Sequence, residues 1–338
     1  MDYHNSLKEQ INEYIRDILP EYFALSRNVY SKVERIIVAD YNVNFVVQVN
    51  HNRYLLRVNV EQQSSLPNQI EYEYQVLKFL SNFKIAPQPY LVDNSKSRLQ
   101  FGFLIEEYLA GEYLDYDDLS GILDAAALLA SLHRIALPLE NFFITWSNPL
   151  EENLKDVSEM LKHYATRKSK DKKIVTLSSK LIRKLEKSTT LYSKRLKSNS
   201  IVHTDVVNDN FIRSPQGLRL IDWEKPRVDD ASYDLCVFIG TASELWSSPR
   251  AMTDEERNLF LYEYCRCMGI ELGDIKEKVR IRQPYVSLHW ILWAASRLSD
   301  IKEGAISSEL IRFHSSSVSR YKKVTAIEHL EALLRKVY

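Results

Sequence analysis

Near the start of the chain Leu7, Ile11, Tyr14, Ile15, Ile18 and Leu19 recur three and four residues apart, so residues 7 to about 23 are predicted helical, with Pro20 near the end. The texture then turns to β. Glu34–Ala39, Asn44–Val49 and Tyr54–Val60 are rich in branched and aromatic residues and predict three strands. The last two are joined across Asn50-His51-Asn52-Arg53, a good hairpin turn. Helical spacing returns from about Asn68 to Leu80, with Ile70, Tyr74, Leu77 and Leu80 on one face. After Pro87 and Pro89 come two more strand-like runs, the second being Phe103–Tyr108. The order β-β-β-α-β-β predicts a five-stranded antiparallel sheet carrying one helix.

Beyond Gly111 the pattern is mostly helical, beginning with Ile122–Ile135, whose Ala-Leu-Leu-Ala-Ser-Leu-His run has strong helix propensity. Two short β-like runs, Ile201–His203 and Leu218–Trp223, bracket a polar loop, and the remainder to Tyr338 reads as helix. The class is therefore α+β with two lobes, a β-rich N-lobe over residues 1–108 and a mainly helical C-lobe over 109–338. No internal repeat interrupts this order.

A chain of 338 residues is long enough for two such lobes. Its 45 basic and 45 acidic residues cancel, so nucleic acid is not the expected partner. One segment departs from neutrality: 155–197 holds 14 basic and four acidic residues. A solvated helical pair accounts for it, and a patch for an anionic partner is the alternative. Three cysteines, two of them in Cys265-Arg266-Cys267, form no disulfide framework. With a polar N-terminus and no apolar run of membrane-spanning length, they lead to the expectation of a cytoplasmic protein without a membrane partner. Glycine narrows the chemistry further. There are eight, the first at position 102, so a nucleotide site at the N-terminal end contains neither a Walker loop nor GxGxxG.

Candidate chemistry concentrates in Ile201–Phe211 (IVHTDVVNDNF) and Leu218–Pro226 (LRLIDWEKP). Asp205, Asn210 and Asp222 are the residue types that orient a hydroxyl and hold magnesium during phosphoryl transfer. His203-Thr-Asp205-x4-Asn210, followed eleven residues later by Ile-Asp222-Trp-Glu224, resembles the aminoglycoside phosphotransferase/choline kinase family, a small-molecule branch of the protein-kinase-like fold. Other motifs keep the family's order: Tyr54-Leu-Leu-Arg57-Val, Glu73 in Glu-Tyr-Glu-Tyr-Gln-Val-Leu, Phe103-Leu-Ile-Glu-Glu-Tyr-Leu-Ala-Gly111, Leu129-Ala-Ser-Leu-His133 and Ala231-Ser-Tyr-Asp234-Leu.

The resemblance implies a protein-kinase-like fold and an ATP- and Mg2+-dependent phosphotransferase. Asp205 would be the catalytic base or hydroxyl-orienting residue, and Asn210 and Asp222 the magnesium ligands. Arg57, held by Glu73, would contact the phosphates, and the backbone around Glu107, Tyr108 and Leu109 would bind adenine. His203, Asp234 and His133 would shape the loop. Two departures stand out: an arginine on the third strand, and a first hairpin, Ala39–Asn44, that lacks glycine and places Asp40 near the nucleotide.

The expected acceptor is a small hydroxylated molecule, an amino alcohol of the choline or ethanolamine type ahead of an aminoglycoside. Trp290 and Trp293 resemble the Trp-x-x-Trp helix of choline kinases, where aromatic faces enclose an ammonium; core packing explains the same spacing. Glu244 and Trp246 would add a counter-charge and a wall, with Phe313 and Tyr321 nearby. Glu224, Asp229 and Asp230 would form an acidic rim, or a solvated loop. Two other functions fit the same motifs: a catalytically weak nucleotide-binding scaffold, and a kinase of a macromolecule docked on 155–197.

Overall fold

The structure is a computed structural model and describes residues 3–17, 22, 30–38, 42–61, 66, 68–97, 99–248, 250–305 and 315–337. The expectations for Ile18 to Pro20, Phe23, Asp40 and Phe313 lie outside the described residues. The chain divides into two units, Met1–Gly111 with Arg219–Glu224, and Glu112–Leu218 with Lys225–Tyr338.

In the first unit, strands β1 (Ser31–Val38), β2 (Asn42–Val49), β3 (Asn52–Asn59), β4 (Pro89–Asp93) and β5 (Phe103–Glu107) pair in the order β1-β2-β3-β5-β4, antiparallel throughout. Asn50 enters the β2–β3 turn with φ 54°, the left-handed geometry that asparagine tolerates and tight hairpins require. Side chains alternate across the sheet, so each strand sorts its residues between two faces. One face carries Val43, Phe45, Val47, Val49, Leu56 and Val58, which pack with Leu7, Ile11, Tyr14 and Ile15 of helix α1 (Tyr3–Asp17). The same alternation turns Asn42, Asn44, Arg57, Asn59 and Glu106 to the opposite face. Helix α2 (Gln69–Leu80) packs on β4 and β5 and buries Ile70, Glu73, Val76, Leu77 and Leu80.

The second unit is mainly helical: α3 (Leu119–His133), α4 (Pro149–Thr166), α5 (Lys172–Tyr192), α6 (Ser232–Phe238), α7 (Thr241–Ser247), α8 (Asp254–Met268), α9 (Leu272–Lys302), α10 (Ser315–Val324) and α11 (Ile327–Lys336). Helix α9 packs against α4, α6 and α10 and is buried along most of its length, which explains its lack of a polar stripe. Five short strands frame the polar loop, where the sequence pattern showed two. β6 (Glu112–Tyr113) pairs with β8 (Phe211–Ser214), and β7 (Ser200–Val202) pairs with β10 (Arg227–Asp229). These strands are too short for a period of two to register.

β9 (Gly217–Leu220) carries the chain back to the first unit. The predicted run to Trp223 stops at Leu220 because Asp222 adopts φ 70°, which extended pairing does not accommodate. Residues 219–224 join the first unit through a Leu220 amide to Ile85 carbonyl bond of 2.8 Å, and through Arg219, which grips Glu107 at 2.8 and 3.0 Å. A boundary drawn once along the chain does not anticipate this return.

Candidate functional site

Strand β7 ends at Val202 and delivers His203-Thr204-Asp205 into the polar loop of the second unit. Thr204 sits at φ 76°, a strained value for a β-branched residue. Asp234, fully buried at the start of α6, holds that strain in place. Its two carboxylate oxygens accept the amides of His203 (2.7 Å) and Thr204 (2.8 Å), and His133 Nε2 lies 3.1 Å from one of them. Burial pushes the Asp234 carboxyl up, but the hydrogen bond and charge of His133, with the His203 contacts, bring it below its ordinary value. The Asp205 amide donates to His203 Nδ1 at 3.3 Å. A turn over Asn208–Asn210 then brings Asn210 Nδ2 to the Asp205 carbonyl (2.8 Å) and to Asp205 Oδ2 (3.0 Å). With that amide nitrogen committed to Asp205, the oxygen of Asn210 is the atom left to meet a cation.

In the first unit the polar face of the sheet collects charge around Arg57, which is 2% exposed. Its Nε lies 3.3 Å from Glu73, and its Nη1 donates to Asp222 at 2.5 Å and to Glu224 at 3.2 Å. Glu106, two residues along β5 from Arg57's register partner Leu104, is buried beside them. One guanidinium cannot neutralise four carboxylates, of which Glu73 and Glu106 are buried. Burial, only partly offset by Arg57, accordingly pushes Glu73 up to about 7 and Glu106 up to about 8. Asn42 donates to Glu224 and accepts from Asn59 Nδ2 at 3.0 Å, tying the start of β2 to the Asp222 segment. Glu107 is bound by Arg219, and its amide donates to the Gln88 carbonyl at 2.8 Å. The Tyr108 hydroxyl accepts from Arg35 at 3.3 Å, and Leu109 is buried.

A sequence model of the phosphotransferase enzyme family matches residues 35–268, more than two thirds of the chain and nearly all of the motifs above. The chain belongs to the phosphotransferase enzyme family. Comparison with curated protein sequences returns no significant match. Among solved structures, a choline kinase from Cryptosporidium parvum Iowa II superposes with a TM-score of 0.65 at 20% identity, over 97% of this chain and 99% of that one. An ethanolamine kinase from Plasmodium vivax gives 0.68 at 14% identity, over 98% and 91%. A spectinomycin phosphotransferase in complex with ADP and spectinomycin gives 0.59 at 13% identity, over 96% and 98%. The five-stranded antiparallel sheet and helical C-terminal region are the protein-kinase-like fold of these enzymes.

Within this phosphotransferase, the tryptophans separated in sequence meet in the second unit. Trp246 of α7 lies 5.0 Å from Trp293 and 6.5 Å from Trp290, and Tyr321 of α10 lies 5.0 Å from Trp246 and 5.5 Å from Trp293. Trp290 is buried, while Trp246 and Trp293 are half-buried. Arg320, absent from the sequence-level candidates, stands 5.6 Å from the Trp246 ring centre and donates to Asp209 at 3.1 Å. It therefore joins the aromatic cluster to the turn that bears Asn210. No motif marks it, because its neighbours are distant in sequence.

The acidic rim needs correction. Asp229 and Asp230 are 0% and 2% exposed. Asp229 is paired with Arg282 (2.7 Å) and Arg227 (2.9 Å), and Asp230 with Lys278 (3.3 Å), so they pin α9 to β10. Glu244 is likewise buried and accepts from Arg257 at 2.6 Å. Glu106, Asn42 and Asn59 were also missed, although the alternation that selects Arg57 places all three on its face.

The basic segment forms α4 and α5. Several of its cations are engaged within the unit: Arg167 with Asp300 at 2.7 Å, Lys173 with Glu331 at 3.1 Å, and Arg195 with Asp274 and Glu277. The cysteines Cys236, Cys265 and Cys267 are all free. Among the described residues no helix is long and apolar enough to cross a membrane.

Proposed function

We propose that this phosphotransferase moves the γ-phosphate of MgATP to the hydroxyl of a small amino alcohol of the choline or ethanolamine type. The observation that carries the acceptor class is the cluster of Trp246, Trp290, Trp293 and Tyr321, joined by Arg320 to the turn at Asp209. Indole faces attract cations electrostatically, and Arg320 already places one near Trp246. An ammonium-bearing acceptor gathered there lies in the same unit as Asp205. The named activities of the choline and ethanolamine kinases with this fold support the same class.

Asp205 aligns the acceptor hydroxyl and takes its proton. Its position is set by Asn210 and by the loop that Asp234 fastens. Asn210 and Asp222 would hold magnesium. Their amide and carboxylate oxygens are the hard donors this ion prefers, and with phosphate and water completing the shell no further protein ligand is required. When bound, the ion neutralises charge on the β- and γ-phosphates. Arg57 contacts the phosphates, oriented by Glu73, and phosphate competes with Asp222 for its guanidinium. Adenine meets the backbone from Glu107 to Leu109, of which the Glu107 amide is already committed to Gln88.

The test is a mass-spectrometric screen for a gain of phosphate on choline, ethanolamine and a panel of aminoglycosides in the presence of MgATP. Turnover of an amino alcohol by the wild type, lost in Asp205→Asn and Asp222→Ala, is the expected result. Indistinguishable behaviour of wild type and Asp222→Ala across the panel refutes the enzyme reading. Turnover of aminoglycosides alone refutes the acceptor class.

A further inference from the structure

The second unit contains a half-open cavity of about 570 Å3 lined by Ile239 and by residues of α7, α8, α9 and α11. That volume falls within the range of small-molecule sites. It opens on a different side of α9 from the tryptophans: Pro284, Ser287 and Ile291 line it, whereas Trp290 and Trp293 do not. Leu261, Pro284, Ile291 and Leu333 supply an apolar wall.

The charges on its lining are one-sided. Asp254, its only carboxylate among the described residues, pairs with Arg257 at 3.3 Å, and Arg257 also holds Glu244 at 2.6 Å. Three further cations, Lys276 and Arg280 of α9 and Lys336 of α11, are exposed and have no carboxylate partner among the described residues. Arg280 stands 5.9 Å from the Tyr192 ring centre, a contact with an uncharged side chain. An apolar pocket bordered by three cations without a carboxylate partner among the described residues suits a molecule with an apolar tail and an anionic head: the tail gains from leaving water and the head from the cations. A cationic or purely polar ligand gains neither.

We propose that this cavity binds a single-chain anionic amphiphile, a carboxylate or phosphate head on an apolar tail, at a site separate from the phosphotransfer residues. The test is calorimetric titration of the full chain with dodecanoate and with dodecyl phosphate, both below their micellar concentrations. Dodecyltrimethylammonium and vesicles of anionic phospholipid serve as comparisons.

Saturable binding of one dodecanoate or dodecyl phosphate per chain is expected, at least tenfold tighter than the cationic amphiphile. Whichever head binds better names the natural class. Combining Lys276→Glu, Arg280→Glu and Lys336→Glu, all at exposed positions, is expected to weaken binding at least tenfold. Ala332→Trp, which narrows the chamber from α11, is expected to do the same. Asp205→Asn is expected to bind like the wild type, so the result is independent of the phosphotransfer reading. Equal binding of the cationic amphiphile, insensitivity to the charge reversals or to Ala332→Trp, or retention on vesicles without binding of the free amphiphiles would overturn the proposal.

Discussion

Asp234 shows how much one buried carboxylate can hold. It accepts two consecutive loop amides and faces His133, and through them it keeps Thr204 in a strained conformation beside Asp205. Replacing it with asparagine removes the charge that those donors share, and Asp234→Asn is expected to lower stability by about 3 kcal/mol. Because Asp234 is more acidic in the folded chain than its ordinary 3.8, it favours folding above that pH and the contribution vanishes as the pH falls further. Urea unfolding of the wild type and Asp234→Asn should therefore converge in acid. Glu106 behaves oppositely. Its carboxyl is raised from 4.5 to about 8, so its contribution is full below pH 4.5 and is lost as the pH climbs through 8. Glu106→Gln is expected to flatten the decline in melting temperature across that window, and a parallel decline would refute the assignment. At the aromatic cluster, Trp293→Ala is expected to raise KM for an amine acceptor roughly tenfold with a smaller change in kcat, consistent with a cation over indole. An unchanged KM would assign Trp293 to packing alone.

Among the elements, those legible in the sequence were long or strongly periodic. The hairpin of β2 and β3 announced itself through Asn50, and α2 and α3 through helical spacing and composition. β6, β8 and β10, of two to four residues, form because partners elsewhere accept their hydrogen bonds, so their residues carry little local signal. Helix α8 starts on a reciprocal cap: Thr253 accepts the Glu256 amide at 3.2 Å while the Glu256 carboxylate accepts the Thr253 amide at 2.7 Å. Thr253→Ala is expected to cost about 1 kcal/mol, read locally as faster amide exchange over the first turn of α8. Unchanged exchange there would show that Arg250, which grips Glu256 with Nη1 and Nη2 at 2.9 Å each, holds the helix start alone.

At the scale of the whole molecule, a protein that binds MgATP only when folded is stabilised by it in proportion to occupancy, by about 2.7 kcal/mol at a hundred times Kd. ATP with magnesium is expected to raise the melting temperature more than either alone, and Arg57→Ala to abolish most of the rise. An equal rise in the variant would remove Arg57 from the phosphate site. The order of the strands, the two textures of the chain and the spacing of His203, Asp205, Asn210 and Asp222 were all present in the amino-acid sequence, because period and spacing are local properties. Scarcity of glycine excluded glycine-cradled phosphate sites at the N-terminal end in the same way, since a missing residue type needs no fold to be counted. Partners were not local. Only the tertiary structure returned residues 219–224 to the first unit, buried Asp229 against arginines and Asp230 against Lys278, gave Glu244 to Arg257 and gathered Trp246, Trp290, Trp293 and Tyr321, with Arg320 over Trp246. A charged side chain reads alike in sequence whether water or a buried guanidinium faces it, and pairs such as Asp229 with Arg282 and Asp209 with Arg320 join segments more than fifty residues apart.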